Sequence, residues 1–134
     1  MKLLVLSKLP KRIRKYLSKS LTPDKIYRDI EKYYDYHQQM EILRRLPEEV
    51  RKRYLESGLT KGRWLEQDLI LSLSEEGRKQ YLELESEKFK FKIVSLLPEM
   101  EREGYIQEFE DEEYKYQLVK NIPEEKREKY IQEF

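Results

Sequence analysis

One phrase recurs five times along this chain, and a recurring phrase constrains a fold more than any local propensity does. Each copy is built on an anchor: Pro10, Pro47, Ser74, Pro98 or Pro123. Apolar residues stand five, four and one places before it, as Val5/Leu6/Leu9, Ile42/Leu43/Leu46, Leu69/Ile70/Leu73, Ile93/Val94/Leu97 and Leu118/Val119/Ile122. An arginine stands four places after it: Arg14, Arg51, Arg78, Arg102 and Arg127. In the last four copies a tyrosine follows at plus seven (Tyr54, Tyr81, Tyr105, Tyr130), then Leu or Ile. The pentapeptide Tyr-Ile-Gln-Glu-Phe occurs at 105–109 and again at 130–134, which places Phe109 and Phe134 at plus eleven.

The spacing predicts two helices per copy. The apolar positions before the anchor reach back to Leu65, Phe89 and Tyr114 in three copies, and these offsets share one helical face. The first helix must end at the anchor, because the residue before a proline is driven to extended geometry. Proline is then welcome in the first turn of the second helix. Glu-Glu pairs at 48–49, 75–76 and 124–125 meet the positive end of that helix, and Ser74 can cap with its hydroxyl. The second helix is expected to bury plus seven, plus eight and often plus eleven. The repeated arginine is expected to pair with a glutamate of the neighbouring repeat, and the tyrosine to pack with its hydroxyl bonded.

A hairpin of two short helices cannot bury its apolar stripe alone, whereas stacked hairpins share a continuous core. The expected fold is therefore all-α, an α-solenoid of about five short helical hairpins joined at prolines. It occupies residues 1–134 as one helical-repeat domain, with repeats near 1–20, 24–58, 62–85, 86–109 and 111–134. Anchor spacings of 37, 27, 24 and 25 residues leave an insertion at 21–39. It opens with Thr22-Pro23-Asp24, a helix start, and should lengthen the next helix or add one.

Leu46-Pro47-Glu48-Glu49-Val50-Arg51 and Ile122-Pro123-Glu124-Glu125-Lys126-Arg127 carry a resemblance. Over most of residues 37–134 the pattern resembles the short helical repeats in the N-terminal domain of the MgtE family of magnesium transporters. The resemblance implies a right-handed superhelix of short helices. Tyrosines stand at the small and leucine positions of that family, and magnesium transport is not implied.

Apolar residues make up 38% of the chain and charged residues 41%, which suits short helices that each bury one stripe. There is no cysteine, hence no disulfide framework and no thiolate chemistry. Alanine is absent too, with Lys, Glu, Tyr and Ile in its place. A thermophile's ion-pair networks would give this composition, and so would an AT-rich coding sequence. No segment approaches the roughly 18–20 apolar residues of a membrane helix. The opening run Leu3-Leu4-Val5-Leu6 is broken by Ser7 and Lys8 with no cleavage site after it. A cytoplasmic location is the expectation. Charge is uneven: residues 1–64 carry a net +9 and residues 65–134 a net −8, and the first twenty residues hold seven basic groups and no acidic one.

Little in the chain speaks for catalysis. His37 is the sole histidine, and none of the four glycines belongs to a phosphate-binding motif. The acidic run Glu108–Glu113 lacks the alternating ligand spacing of a calcium loop. We expect no catalytic residue, no metal site and no cofactor. The candidate binding residues are basic. Lys8, Lys11, Arg12, Arg14, Lys15 and Lys19 flank Tyr16; Arg44, Arg45, Arg51, Lys52 and Arg53 straddle the second hairpin; Arg63 adjoins Trp64. Two readings follow. The first is a non-enzymatic interaction module, a helical-repeat scaffold that binds a protein partner or assembles with itself, the +9 half of one molecule meeting the −8 half of the next. The second is a nucleic-acid-binding protein that sets the basic stripe against phosphates, with an aromatic or two for bases.

Overall fold

In the computed structural model, which describes residues 2–33 and 35–131, all regular structure is helical. The first four helices are α1 (Leu3–Ser7), α2 (Lys11–Leu17), α3 (Pro23–Ile30) and α4 (Tyr36–Arg44). They are followed by α5 (Glu48–Glu56), α6 (Trp64–Leu71), α7 (Glu75–Leu82) and α8 (Glu87–Val94). The last three are α9 (Glu99–Glu103), α10 (Glu112–Lys120) and α11 (Glu124–Ile131). Two short 3-10 segments, Ser18–Ser20 and Ile106–Glu108, complete the set. Every anchor falls between two of these helices. Phe134, expected at plus eleven, lies outside the described residues, as does Tyr34.

The anchors work by a shared backbone device. Pro10, Pro47 and Pro98 adopt φ between −55° and −58° with ψ between 148° and 152°. They therefore precede the second helix as extended caps and do not occupy its first turn, one place earlier than expected. In all five copies the amide before the anchor donates back three residues. These bonds run Leu9 to Leu6, Leu46 to Leu43, Leu73 to Ile70, Leu97 to Val94 and Ile122 to Val119, at 3.0–3.1 Å. Proline has no N–H, so none is stranded at the corner. Ser74, in the one copy without proline, accepts from the Gly77 amide at 3.1 Å and caps α7 as its hydroxyl allows.

Three of the repeated arginines close back on a carbonyl of their own copy. Arg14 donates to the Leu9 carbonyl at 2.7 Å, Arg127 to Ile122 at 2.7 Å, and Arg78 to Leu73 and to Leu71, the latter at 3.0 Å. The acceptor common to these three is the carbonyl just before the anchor. Helix ends leave carbonyls without intrahelical partners, and a guanidinium is a strong donor to them. Arg51 reaches instead into the next hairpin, donating to the Ser72 carbonyl and hydroxyl, each at 2.8 Å. Burial lowers the pKa of its guanidinium below the usual value, with Glu48 opposing the shift.

The chain divides into two compact units, residues 1–81 and 82–134. In the first, α1 packs on α4 and α4 on α6, while α3 packs on α1 and α5. The insertion has thus added a helix, α3, capped by the Thr22 hydroxyl accepting from the Lys25 amide at 3.2 Å. The core of this unit holds Leu3, Leu6, Ile26, Ile30, Leu43, Tyr54, Leu55, Leu69 and Ile70. The loop before α6 turns on Gly58 and Gly62, at φ 84° and 76°, where a side chain would be strained. In the second unit, α10 packs on α9 and α11 around Ile93, Val94, Tyr105, Ile106, Leu118 and Val119. Phe91 stacks on Tyr114 at 4.8 Å and meets buried Phe109 edge-on at 6.3 Å.

The 3-10 segments explain the plus-eleven position. Both cover plus eight to plus ten of their copies, and both deliver an extended, buried residue at plus eleven, Leu21 and Phe109. In the two copies where plus eleven is Gly58 or Glu85, the structure has no such segment.

Candidate functional site

Copies two to five bury all three apolar residues before the anchor; the first copy does not. Ile42 is 3% exposed, whereas Val5, at the same place in its copy, is 51% exposed. The helix after Pro10 departs further still. No residue of α2 is buried, and Ile13 and Tyr16 are exposed. Its first turn also breaks the charge rule of its siblings. Glu48-Glu49, Glu75-Glu76, Glu99-Met100 and Glu124-Glu125 follow the other anchors, and Lys11-Arg12 follow Pro10. Acid at a helix start stabilises by about 0.3–1 kcal/mol and base does the reverse. The first hairpin therefore gives up stability where it gains positive charge.

That charge lines a cleft. Lys11, Arg14 and Lys15 of α2 face Arg44, Arg45 and Arg51 from the corner joining α4 to α5, around a space of about 520 Å³. This is within the range of about 300–1,000 Å³ typical of binding sites. Lys11, Lys15 and Arg44 are exposed and have no ion-pair partner among the described residues. Arg14 and Arg51 are tethered to carbonyls, which hold their position and leave their charge intact. Arg45 bonds Glu41 at 3.1 Å and the Ser7 carbonyl at 3.4 Å.

Two carboxylates, Glu48 and Glu49, line the same cleft. Glu48 is committed elsewhere: it accepts from the Ser74 hydroxyl at 2.7 Å and the Ser74 amide at 2.9 Å. These bonds hold its carboxyl below the usual range, the hydroxyl contributing most, and Arg51 and Lys52 add a smaller pull.

The remaining basic candidates are dispersed. Lys8 lines a neighbouring pocket of about 180 Å³ that also borders Arg45. Arg12 and Arg53 are exposed and do not line the cleft, and Lys19 lies 6.0 Å from the Tyr16 ring. Lys52 bonds the Gln80 side chain. Arg63 is drawn away altogether: it pairs with Glu31 at 2.5 Å and lies 5.5 Å over the Tyr27 ring. Burial pushes the Tyr54 phenol above its usual value, and Arg63 nearby acts against that shift. Trp64 stands 85% exposed beside it.

His37 is exposed in the first turn of α4, its amide donating to the capping Asp35 carboxylate at 2.8 Å. Buried Glu66 is met by Lys61 at 3.5 Å and by the Tyr81 hydroxyl at 3.4 Å. Among the described residues no three His, Cys, Asp or Glu side chains are placed to hold a metal ion, and no helix is long and apolar enough to cross a membrane. The Lys11-Arg12 departure and Leu21 at plus eleven are both readable from the repeat register. No protein-family model, curated protein or solved structure matches the chain, so its functional reading stands on this geometry alone.

Proposed function

We propose that the chain is a non-enzymatic interaction module, a helical-repeat scaffold whose first two hairpins hold an acidic surface of a protein partner. The observation that carries this reading is the basic cleft, formed where the first hairpin puts cations in place of the acids of its siblings. Sequences break a local rule most often where function asks for it. The solenoid arrangement belongs to the same proposal, supported in the first unit by α1, α4 and α6 packing in succession as equivalent helices of three copies.

Nucleic-acid binding is the second reading, favoured by exposed Tyr16 on the same helix as Lys11 and Lys15. Glu49 lines the same cleft and repels a phosphate backbone and an acidic protein surface alike. A fluorescence-anisotropy titration at about 50 and about 200 mM salt tests both, with labelled polyglutamate and with single- and double-stranded DNA and RNA. The variant Lys11→Ala/Lys15→Ala/Arg44→Ala removes charge and leaves the tethered Arg14, Arg45 and Arg51 in place. Polyglutamate binding that this triple variant abolishes supports the first reading. Tight, steeply salt-dependent nucleic-acid binding with none to polyglutamate replaces it with the second.

A further inference from the structure

We propose that the acidic surface held by this cleft is residues Glu110–Glu113 of a second copy of the chain, so that molecules associate head to tail. The inference rests on the interaction-module reading and names its partner. Some charges in this molecule have local partners: Arg63 meets Glu31, and Lys126 lies between Glu99 and Glu103 at 3.8 and 3.6 Å. Two exposed clusters of opposite sign have no ion-pair partner among the described residues. One is Lys11, Lys15 and Arg44 in the cleft. The other is Glu110, Asp111, Glu112 and Glu113 at the start of α10, all exposed and without a Lys or Arg partner among the described residues.

The acidic tip is also fixed in shape. The Glu87 carboxylate accepts from the Glu110 amide at 2.5 Å and the Asp111 amide at 3.3 Å. Asp111 caps α10 by accepting from the Glu113 amide at 2.8 Å. A tip whose backbone is already held loses little conformational freedom on docking, which favours affinity. The clusters lie in the two halves that carry +9 and −8, so the long-range field of each half reinforces the local match. Because the two patches differ, a pair of molecules joined by such a contact keeps one patch of each kind unused, and growth continues into rings or filaments.

Sedimentation velocity of the whole chain tests the inference at about 50 and about 500 mM salt, where screening lengths differ several-fold. Average mass is expected to rise with concentration at low salt and to return to the monomer at high salt. Lys15→Glu/Arg44→Glu and Glu110→Lys/Glu112→Lys should each stay monomeric. An equimolar mixture of the two should associate again, because the first contributes an intact tip and the second an intact cleft; recovery also shows that both variants are folded. A wild-type chain that stays monomeric at low salt overturns the proposal, and so does undiminished association of the Glu110→Lys/Glu112→Lys variant. Polyglutamate bound by a chain that does not self-associate leaves the interaction module standing and removes only the second copy as its partner.

Discussion

The α1–α2 and α4–α5 hairpins share one register and meet opposite fates. Ile42, Leu43 and Leu46 are buried, as are Val50, Tyr54 and Leu55 after them. In the first hairpin Leu6 is buried at the equivalent of Leu43, while Val5 is exposed and α2 buries nothing. The pattern therefore specifies the corner and the helices, and neighbours decide what is covered. Where coverage is weak, the chain spends its residues on charge: Lys11 where Glu48 stands, and Arg12 where Glu49 stands.

The largest test of this contrast is the position five before the anchor. Ile42→Ala should cost about 2–5 kcal/mol, as large-to-small changes in a core do. Val5→Ala should stay within about 0.5 kcal/mol, as changes at exposed sites do. Urea midpoints of the two variants measure both, and equal losses would mean that the first hairpin is covered in solution. At plus four, Arg51→Met should cost about 1–3 kcal/mol, since it strands the Ser72 carbonyl. Arg14→Met, on the more exposed hairpin, should cost no more than about 1 kcal/mol by the same measurement.

The Leu6, Leu43, Ile70, Val94 and Val119 series was legible because all five copies bury that place and the sequence displays the period. Val5 was not, since its exposure depends on what lies beside it. The arginines were legible as a recurring group but not in their partner. Spacing shows that a cation returns to one face, while a backbone carbonyl leaves no trace in residue type. At the cleft, charge clustering pointed to Lys11, Arg14, Lys15, Arg44, Arg45 and Arg51. It also pointed to Arg63, which Glu31 of the insertion removes from the group through a contact across 32 positions of sequence.

Two smaller effects sharpen the charge side of the contrast. Glu48→Gln should cost about 0.5–1 kcal/mol at neutral pH by weakening its hold on Ser74. Its carboxyl is held below the ordinary value near 4.5, so the unfolded chain takes up its proton first. The contribution is then complete above that value and disappears as pH falls through the folded one. Denaturant midpoints followed from pH 7 to pH 3 should converge for wild type and variant. Lys11→Glu should have the opposite sign, stabilising by about 0.3–1 kcal/mol as it restores the charge of the sibling helices. The same variant should bind polyglutamate more weakly, and a gain in both stability and binding would remove Lys11 from the proposed site.

The arginine tether has a consequence for how such a chain can change length. Arg14 and Arg127 each close on a carbonyl within their own copy, so a stretch of gene carrying one of these copies brings its fastener with it. Unequal crossing-over could add or remove it without opening a tether elsewhere. Arg51 fastens instead onto Ser72 of the copy that follows, and Glu48 holds Ser74 beside it. The second and third copies are therefore fastened to each other, and a deletion that separates them opens both attachments.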